Sequence, residues 1–303
     1  MERWIDAAPG VRLWAEERGP ADGPVVLLVM GAQASGLVWP DALMDALAVR
    51  HRVIRYDHRD TGRSTWAFDE RPYPLTALAD DAVAVLDGFG AERAHVVGMS
   101  LGGMIAQLLI ADRPERLLST TLFGTRALST VPYTRPDGVR IPLEELPGAA
   151  PELLEMWARP VVDQGLEAEL DRRVEHWRAL GGGGLPFDAA AARELERRIV
   201  AHTGHYRPAT AHSRADASGL DRTGALARTE VPTLVVVAPA EPLFPPPYAH
   251  HLVQAVRGAR SAEIPGLGHA LPPAVLAPLA ALVLEHIAGV PDPAQASGRP
   301  IAR

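Results

Sequence analysis

Residues 94–112, Ala-His-Val-Val-Gly-Met-Ser-Leu-Gly-Gly-Met-Ile-Ala-Gln-Leu-Leu-Ile-Ala-Asp, decide how the chain folds. The run 94–97 has the apolar, β-branched character of a buried strand, and 104–110 that of a buried helix. Between them stands Ser100, with Gly98 and Gly102 two residues to either side. A G-x-S-x-G pattern between a strand and a helix predicts a nucleophile elbow. A serine that attacks a carbonyl must project from the sheet edge on a sharp, strained turn, and glycines remove the side chains that would collide there. The helix that follows aims its N-terminal amides at the same point, where an oxyanion would be stabilised. The bland alternative is an ordinary strand–turn–helix corner.

Outward from the elbow, the pattern is one of alternation. Residues 3–18 suit an antiparallel hairpin around Pro9-Gly10. Residues 24–30 form a continuous apolar run, as expected of a central strand buried on both faces. A helix is predicted through 39–48, a strand at 52–56, a helix at 75–89 and a strand at 117–123. Residues 131–220 break the alternation. They are rich in Arg, Glu, Ala, Pro and Gly, with helical patterns at 151–158, 164–180 and 188–202 and a Gly181-Gly-Gly-Gly184 interruption. Alternation resumes with a strand at 233–237, a helix at 247–257, a strand at 261–264 and a helix at 271–287. The expected architecture is an α/β fold with a mostly parallel sheet and helices on both faces. Its core would be 1–130 and 221–290, with a helical cap at 131–220 and a loose tail at 291–303. The active site of such a sheet lies beyond the carboxyl ends of its strands. Three loops should meet there: 31–36, 98–103 and 238–247.

Composition narrows the function classes. Hydrophobic residues make up 47% and charged residues 22% of the 303, enough apolar mass for a large core. With no cysteine, disulfides, thiolate metal sites and cysteine nucleophiles are excluded. The net charge of −7 argues against a general nucleic-acid binder. The start, Met1-Glu2-Arg3-Trp4, lacks the basic and apolar regions of a signal peptide, and no apolar run is long enough to span a bilayer, so a cytoplasmic protein is expected.

A serine hydroxyl needs a base, and the base needs a carboxylate to orient it and stabilise its cation. Of eleven histidines, His269 alone sits in a glycine-rich loop, Pro265-Gly-Leu-Gly-His-Ala270, between the last strand and the last helix. It is the expected base; otherwise it is an idle residue at a helix start. Glu241 is the only carboxylate in 238–242, and 124–132 contains none. It is the expected orienting acid; otherwise it is a solvated turn residue. The chain order Ser100, Glu241, His269 fits the hydrolase arrangement. The oxyanion amides should be those of Leu101 and of Ala32, in the loop after 24–30. The loop with Asp57, Arg59, Gly62 and Ser64 suits a self-bonded polar turn bracing the elbow better than a binding loop. His202-x-x-His205 has metal-like spacing but no evident third ligand. No cofactor loop follows a strand, and no cofactor is expected.

Together, Gly98-Met-Ser-Leu-Gly102, Arg55-Tyr-Asp-His-Arg-Asp-Thr-Gly-Arg-Ser64 and Ile264-Pro-Gly-Leu-Gly-His-Ala270 resemble the α/β-hydrolase superfamily. Leu28-Val-Met-Gly31, Trp39-Pro40, 55–64 and Ala82-Val-Ala-Val-Leu-Asp87 resemble, within it, the methylesterases of the aclacinomycin type, over roughly residues 10–290 and best in the core. That resemblance implies a cytoplasmic enzyme of secondary metabolism that removes a methyl ester from a glycosylated anthracycline, with Ser100 as nucleophile, His269 as base and oxyanion amides at Ala32 and Leu101. The chain departs from the pattern where Glu241 stands for an aspartate and where Ala32-Gln33 stands for Gly-Asn. The partner implied is a small-molecule ester. A lactonase, amidase, perhydrolase or C–C bond hydrolase would use the same three residues, and a non-catalytic ligand-binding homologue would keep only the fold. Leu153, Leu154, Met156, Trp157, Leu185 and Phe187 could line a bulky apolar substrate or form the cap's own small core.

Overall fold

The computed structural model describes residues 1–160 and 162–290; the tail expected at 291–303 lies outside them. An eight-stranded sheet runs in the order β1-β2-β4-β3-β5-β6-β9-β10. β1 (Glu2–Ala8) and β2 (Val11–Arg18) form the expected hairpin, and β2 pairs antiparallel with β4 (Arg52–Tyr56). β3 (Val25–Val29), β5 (Ala94–Met99), β6 (Leu117–Phe123), β9 (Thr233–Val237) and β10 (Arg260–Glu263) continue the sheet in parallel with β4. The order reverses between β3 and β5, which opens a crevice beyond their carboxyl ends.

The unbroken apolar strands follow from burial on both faces. Along β3, Val25, Leu27 and Val29 pack with Leu78, Val85 and Ile105 from α2 (Ala77–Gly88) and α3 (Leu101–Asp112). Their neighbours Val26 and Leu28 pack on the opposite face with Leu43, Leu47, Leu279 and Val283 from α1 (Asp41–Leu47) and α10 (Pro273–Ala288). Burying one such side chain contributes about 1.5–3 kcal/mol, so a polar residue on either face of β3 would be costly. Pro40 corrects the first helix. Residues 36–38 form a single 3₁₀ turn, and the α-helix starts only after Pro40, whose extended backbone caps it.

Between β6 and β9 lie α4 (Pro151–Ala158), α5 (Leu166–Leu180), α6 (Ala189–Thr203) and α7 (Ala211–Arg214), and then α8 (Thr223–Leu226). A ribbon of β7 (Tyr133–Thr134) and β8 (Arg140–Ile141) also lies there, although helices alone were expected. α5 and α6 are joined by polar contacts. Glu196 accepts from Trp177 Nε1 at 2.6 Å and from Arg173 at 3.0 Å, and Arg173 also reaches the Tyr206 carbonyl at 2.9 Å. α9 (Tyr248–Ala255) completes the helices. Among the described residues no helix is long and apolar enough to cross a membrane.

Buried histidines are expected to make the fold acid-sensitive. Burial holds the neutral form of His95, beside Ser119 Oγ at 2.8 Å, with its pKa pushed down to about 4. Burial does the same to His212, down to about 3. Both stay neutral in the fold but take up a proton near pH 6.5 once unfolded. Their stabilisation is therefore complete above about pH 6.5 and is lost as the pH falls toward the folded values. At pH 5 each is expected to cost about 2 kcal/mol of unfolding free energy. Urea denaturation at pH 7.5 and pH 5 checks this; equal stability at the two would contradict it.

Candidate active site

Ser100 occupies the turn between β5 and α3 at φ 57° and ψ −120°, one of three non-glycine residues with positive φ among those described. The turn is tight enough that a Cβ on Gly98 would overlap the Gly102 carbonyl, and one on Gly102 the Val29 carbonyl. The strain expected of an elbow is therefore present, and both glycines are required by close backbone approach. The helix begins at Leu101, three residues before the run that signalled it, and Gly103 and Met104 donate to the Ser100 carbonyl at 2.9 and 3.2 Å.

Glu241 and His269 are brought together. Both carboxylate oxygens of Glu241 lie 2.8 Å from His269 Nδ1. Glu241 Oε1 also accepts from the amides of Leu243 at 2.9 Å and Phe244 at 3.2 Å, which fix the carboxylate in place. A carboxylate beside Nδ1 keeps the ring proton there and leaves Nε2 as the basic nitrogen. Both residues are buried.

Gly124, at the end of β6, joins this pair to the serine. Ser100 N–H donates to the Phe123 carbonyl at 3.1 Å, so Ser100 and Gly124 lie side by side at the ends of neighbouring strands. A Cβ on Gly124 would stand 3.1 Å from His269 Nδ1 and 3.2 Å from Glu241 Oε2. The glycine thus leaves room for the acid and base. Ser100 Oγ makes no hydrogen bond to His269 in this rotamer. Such contacts commonly tighten only with substrate bound. Gly31 lies against the serine, 3.1 Å from its Cβ to an added side-chain carbon. The N–H groups of Ala32 and Leu101 take no acceptor among the described residues.

The polar loop 57–64 is self-bonded, but it braces the loop after β3 rather than the elbow itself. Asp57 Oδ1 accepts from Ser35 Oγ at 2.6 Å and Gly36 N at 2.8 Å, and His58 Nε2 lies 2.9 Å from the Met30 carbonyl. Ser64 Oγ closes back on the Asp57 carbonyl at 2.7 Å.

Several features of the segment between β6 and β9 went unread in the sequence. His202 lies 2.7 Å from Asp57 Oδ2, while His205 packs edge-on against Trp66, so the two histidines of the H-x-x-H pair serve different partners. His212 Nδ1 accepts the Gln33 N–H at 2.9 Å. Gly181-Gly-Gly-Gly184 does interrupt the helices, and it also packs on the loops carrying Glu241 and His269. A Cβ on Gly184 would come within 2.7 Å of Ala240 Cβ, and His269 N–H donates to the Leu180 carbonyl at 2.7 Å. α4 is tied to the same region, with Ala150 N–H on the Pro242 carbonyl at 2.7 Å. Of the apolar residues singled out there, Leu153 is buried, whereas Leu154 and Trp157 are about half exposed at 51% and 48%. Trp157 Nε1 donates to His176 Nε2 at 3.3 Å, and burial, with Arg172 and His269 adding to it, pushes the His176 pKa down to about 4.

A strained serine at a strand–helix turn, beside a buried carboxylate–imidazole pair at the carboxyl ends of a mostly parallel sheet, defines a hydrolase of the α/β type. The chain belongs to that family: the model of the alpha/beta hydrolase fold matches residues 24–272. It is 43% identical over 286 residues to rhodomycin D methylesterase DnrP of Streptomyces peucetius, covering 91% of this chain and 95% of that one. The putative carbamate hydrolase RutD of Variovorax paradoxus is 30% identical over 264 residues, covering 84% and 88%. Among solved structures, the esterase RhEst1 from Rhodococcus sp. ECU1013 superposes with a TM-score of 0.70 at 17% identity, covering 96% of this chain and 99% of that one. At that identity the likeness speaks for the fold alone.

Proposed function

We propose that the chain is a serine carboxylic-ester hydrolase that cleaves a methyl ester of a hydrophobic, polyketide-like small molecule through an acyl-enzyme. The observation that carries the reading is the Glu241–His269 pair seated over Gly124, next to Ser100. In this reading Ser100 Oγ attacks the ester carbonyl while His269 Nε2 takes its proton. Glu241 holds the imidazole and stabilises the imidazolium. The Ala32 and Leu101 amides bind the oxyanion. His269 then protonates the departing methanol, and water repeats the sequence on the acyl-enzyme.

Residues 131–220 act as the cap over this site in the same proposal. Leu154 and Trp157 support a bulky apolar substrate, since the start of α4 is hydrogen-bonded to the acid loop and both side chains are half exposed. Similarity to rhodomycin D methylesterases over 91% of the chain supports a methyl ester on a polycyclic acid. A cytoplasmic location, expected from the sequence, is kept as part of the proposal. A panel of methyl esters tests it. Methyl esters of polycyclic aromatic acids are expected to exceed methyl acetate in kcat/KM by about 100-fold or more, the scale of a few buried apolar groups. Activity confined to acetate-sized acyl groups would overturn the bulky-substrate reading.

A further inference from the structure

We propose that His212, together with His58, is a positioning residue that fixes the oxyanion-binding amide of Ala32. The proposal rests on the serine-hydrolase reading above and assigns a task within it to a residue of the cap.

The argument begins with the peptide units. The Ala32 N–H belongs to the peptide joining residues 31 and 32. The peptide before it carries the Met30 carbonyl, which His58 Nε2 meets at 2.9 Å. The peptide after it carries the Gln33 N–H, which donates to His212 Nδ1 at 2.9 Å. The peptide that matters is thus bracketed on both sides by imidazoles. A loop peptide held at neither flank can rotate, and a donor that rotates away from the developing charge gives up the advantage of preorganisation.

The two rings also support one another. They meet edge-on with centroids 5.6 Å apart, and His212 Nε2 lies 3.0 Å from the carbonyl of Arg59, the residue next to His58. Their proton positions follow from their partners. A backbone N–H can only donate, so His212 Nδ1 is the lone-pair nitrogen and Nε2 carries the proton toward Arg59. A carbonyl can only accept, so His58 carries its proton on Nε2. Both are buried, and burial disfavours the imidazolium that would destroy the Gln33 bond.

The bracket also includes Gln33. It sits at φ 62°, a conformation that costs a non-glycine residue about 1 kcal/mol or more and persists only where the surroundings enforce it. The bond to His212 Nδ1 is made by the amide of this residue. The oxyanion loop is therefore braced by two parts of the chain, His58 from the loop after β4 and His212 from 179 residues beyond Gln33.

Two measurements test this. In wild-type protein, long-range ¹⁵N–¹H correlation of the imidazoles should show His212 at pH 7 with Nε2 protonated and Nδ1 bare; a proton on Nδ1 would overturn the proposal. His212→Phe keeps the ring but removes the acceptor, and should lower kcat by about 10- to 100-fold, less than loss of an oxyanion donor outright. KM should move by no more than about threefold, while the affinity for phenylboronic acid, whose serine adduct places an oxygen in the oxyanion site, should fall in step with kcat. His212→Asn puts an oxygen where Nδ1 stood and should recover most of that loss. Unchanged kcat in His212→Phe, or His212→Asn as slow as His212→Phe, would refute the assignment. Should His212→Phe not fold, the wild-type tautomer decides. A wild-type protein that neither hydrolyses esters nor takes the boronate would sink the hydrolase reading and this proposal with it. A competent wild type with an unaffected His212→Phe would sink this proposal alone.

Discussion

Ser100→Ala is expected to lower kcat for ester hydrolysis by about 10⁵- to 10⁶-fold, with KM little changed. The variant removes one oxygen and leaves the turn as it is. Alanine keeps the same Cβ, so the cost of φ 57° at this position is the same for both residues and the fold should survive intact. The residual rate would come from the Ala32 and Leu101 amides and from binding alone. Steady-state turnover on a p-nitrophenyl ester, with circular dichroism to confirm the fold, measures the effect. Turnover equal to wild type would mean that the nucleophile lies elsewhere.

Glu241→Gln is expected to cost about 10²- to 10⁴-fold in kcat, by analogy with loss of the orienting carboxylate in other triads. The structure gives the reason. The Leu243 and Phe244 amides donate to Oε1 and would hold a glutamine carbonyl there. Its NH₂ would then fall at the Oε2 position, 2.8 Å from His269 Nδ1 in the native pair. The carbonyl at the Oε1 position, also 2.8 Å from Nδ1, still accepts the ring proton, but the NH₂ beside it favours the competing tautomer protonated on Nε2, which cannot take the serine proton. Charge stabilisation of the imidazolium is lost as well. Glu241→Asp should fall between wild type and Gln, because the carboxylate draws back by one methylene from both the imidazole and its anchoring amides. Wild-type kcat in Glu241→Gln would show that another carboxylate orients His269.

How much of this was legible depended on the range of the interaction that made each feature. The strands were visible because burial on both faces leaves unbroken apolar runs, as in Val25–Val29. The segment 151–158 was visible because its apolar spacing repeats with the helical turn. The elbow was visible because its glycines answer to backbone collisions within a few residues of Ser100. Glu241 was singled out by elimination among the loop carboxylates, and it lies 2.8 Å from His269 Nδ1.

What escaped depends on partners far along the chain. His202 meets Asp57 from 145 residues away, and no local spacing announces that. The H-x-x-H spacing was metal-like but lacked a third ligand, and the two rings serve a carboxylate and a tryptophan separately. The four glycines at 181–184 signalled a helix break correctly, but the loops on which they pack belong to Ala240 and Gly266. The ribbon Tyr133–Thr134 with Arg140–Ile141 is two residues long on each side, too short for any periodicity to register. The first helix was set too early because the apolar pattern runs through Pro40, whereas the extended backbone at that proline belongs to a helix cap.

The central claim is that Ser100, activated by His269 and Glu241, is the nucleophile of an acyl-transfer site. It is tested most directly by intact-mass analysis after exposure to a fluorophosphonate, followed by peptide mapping. The account predicts one phosphonyl adduct per chain, placed on Ser100 and formed far more slowly in Glu241→Gln. No adduct, or an adduct on another residue with Ser100 unmodified, would contradict it.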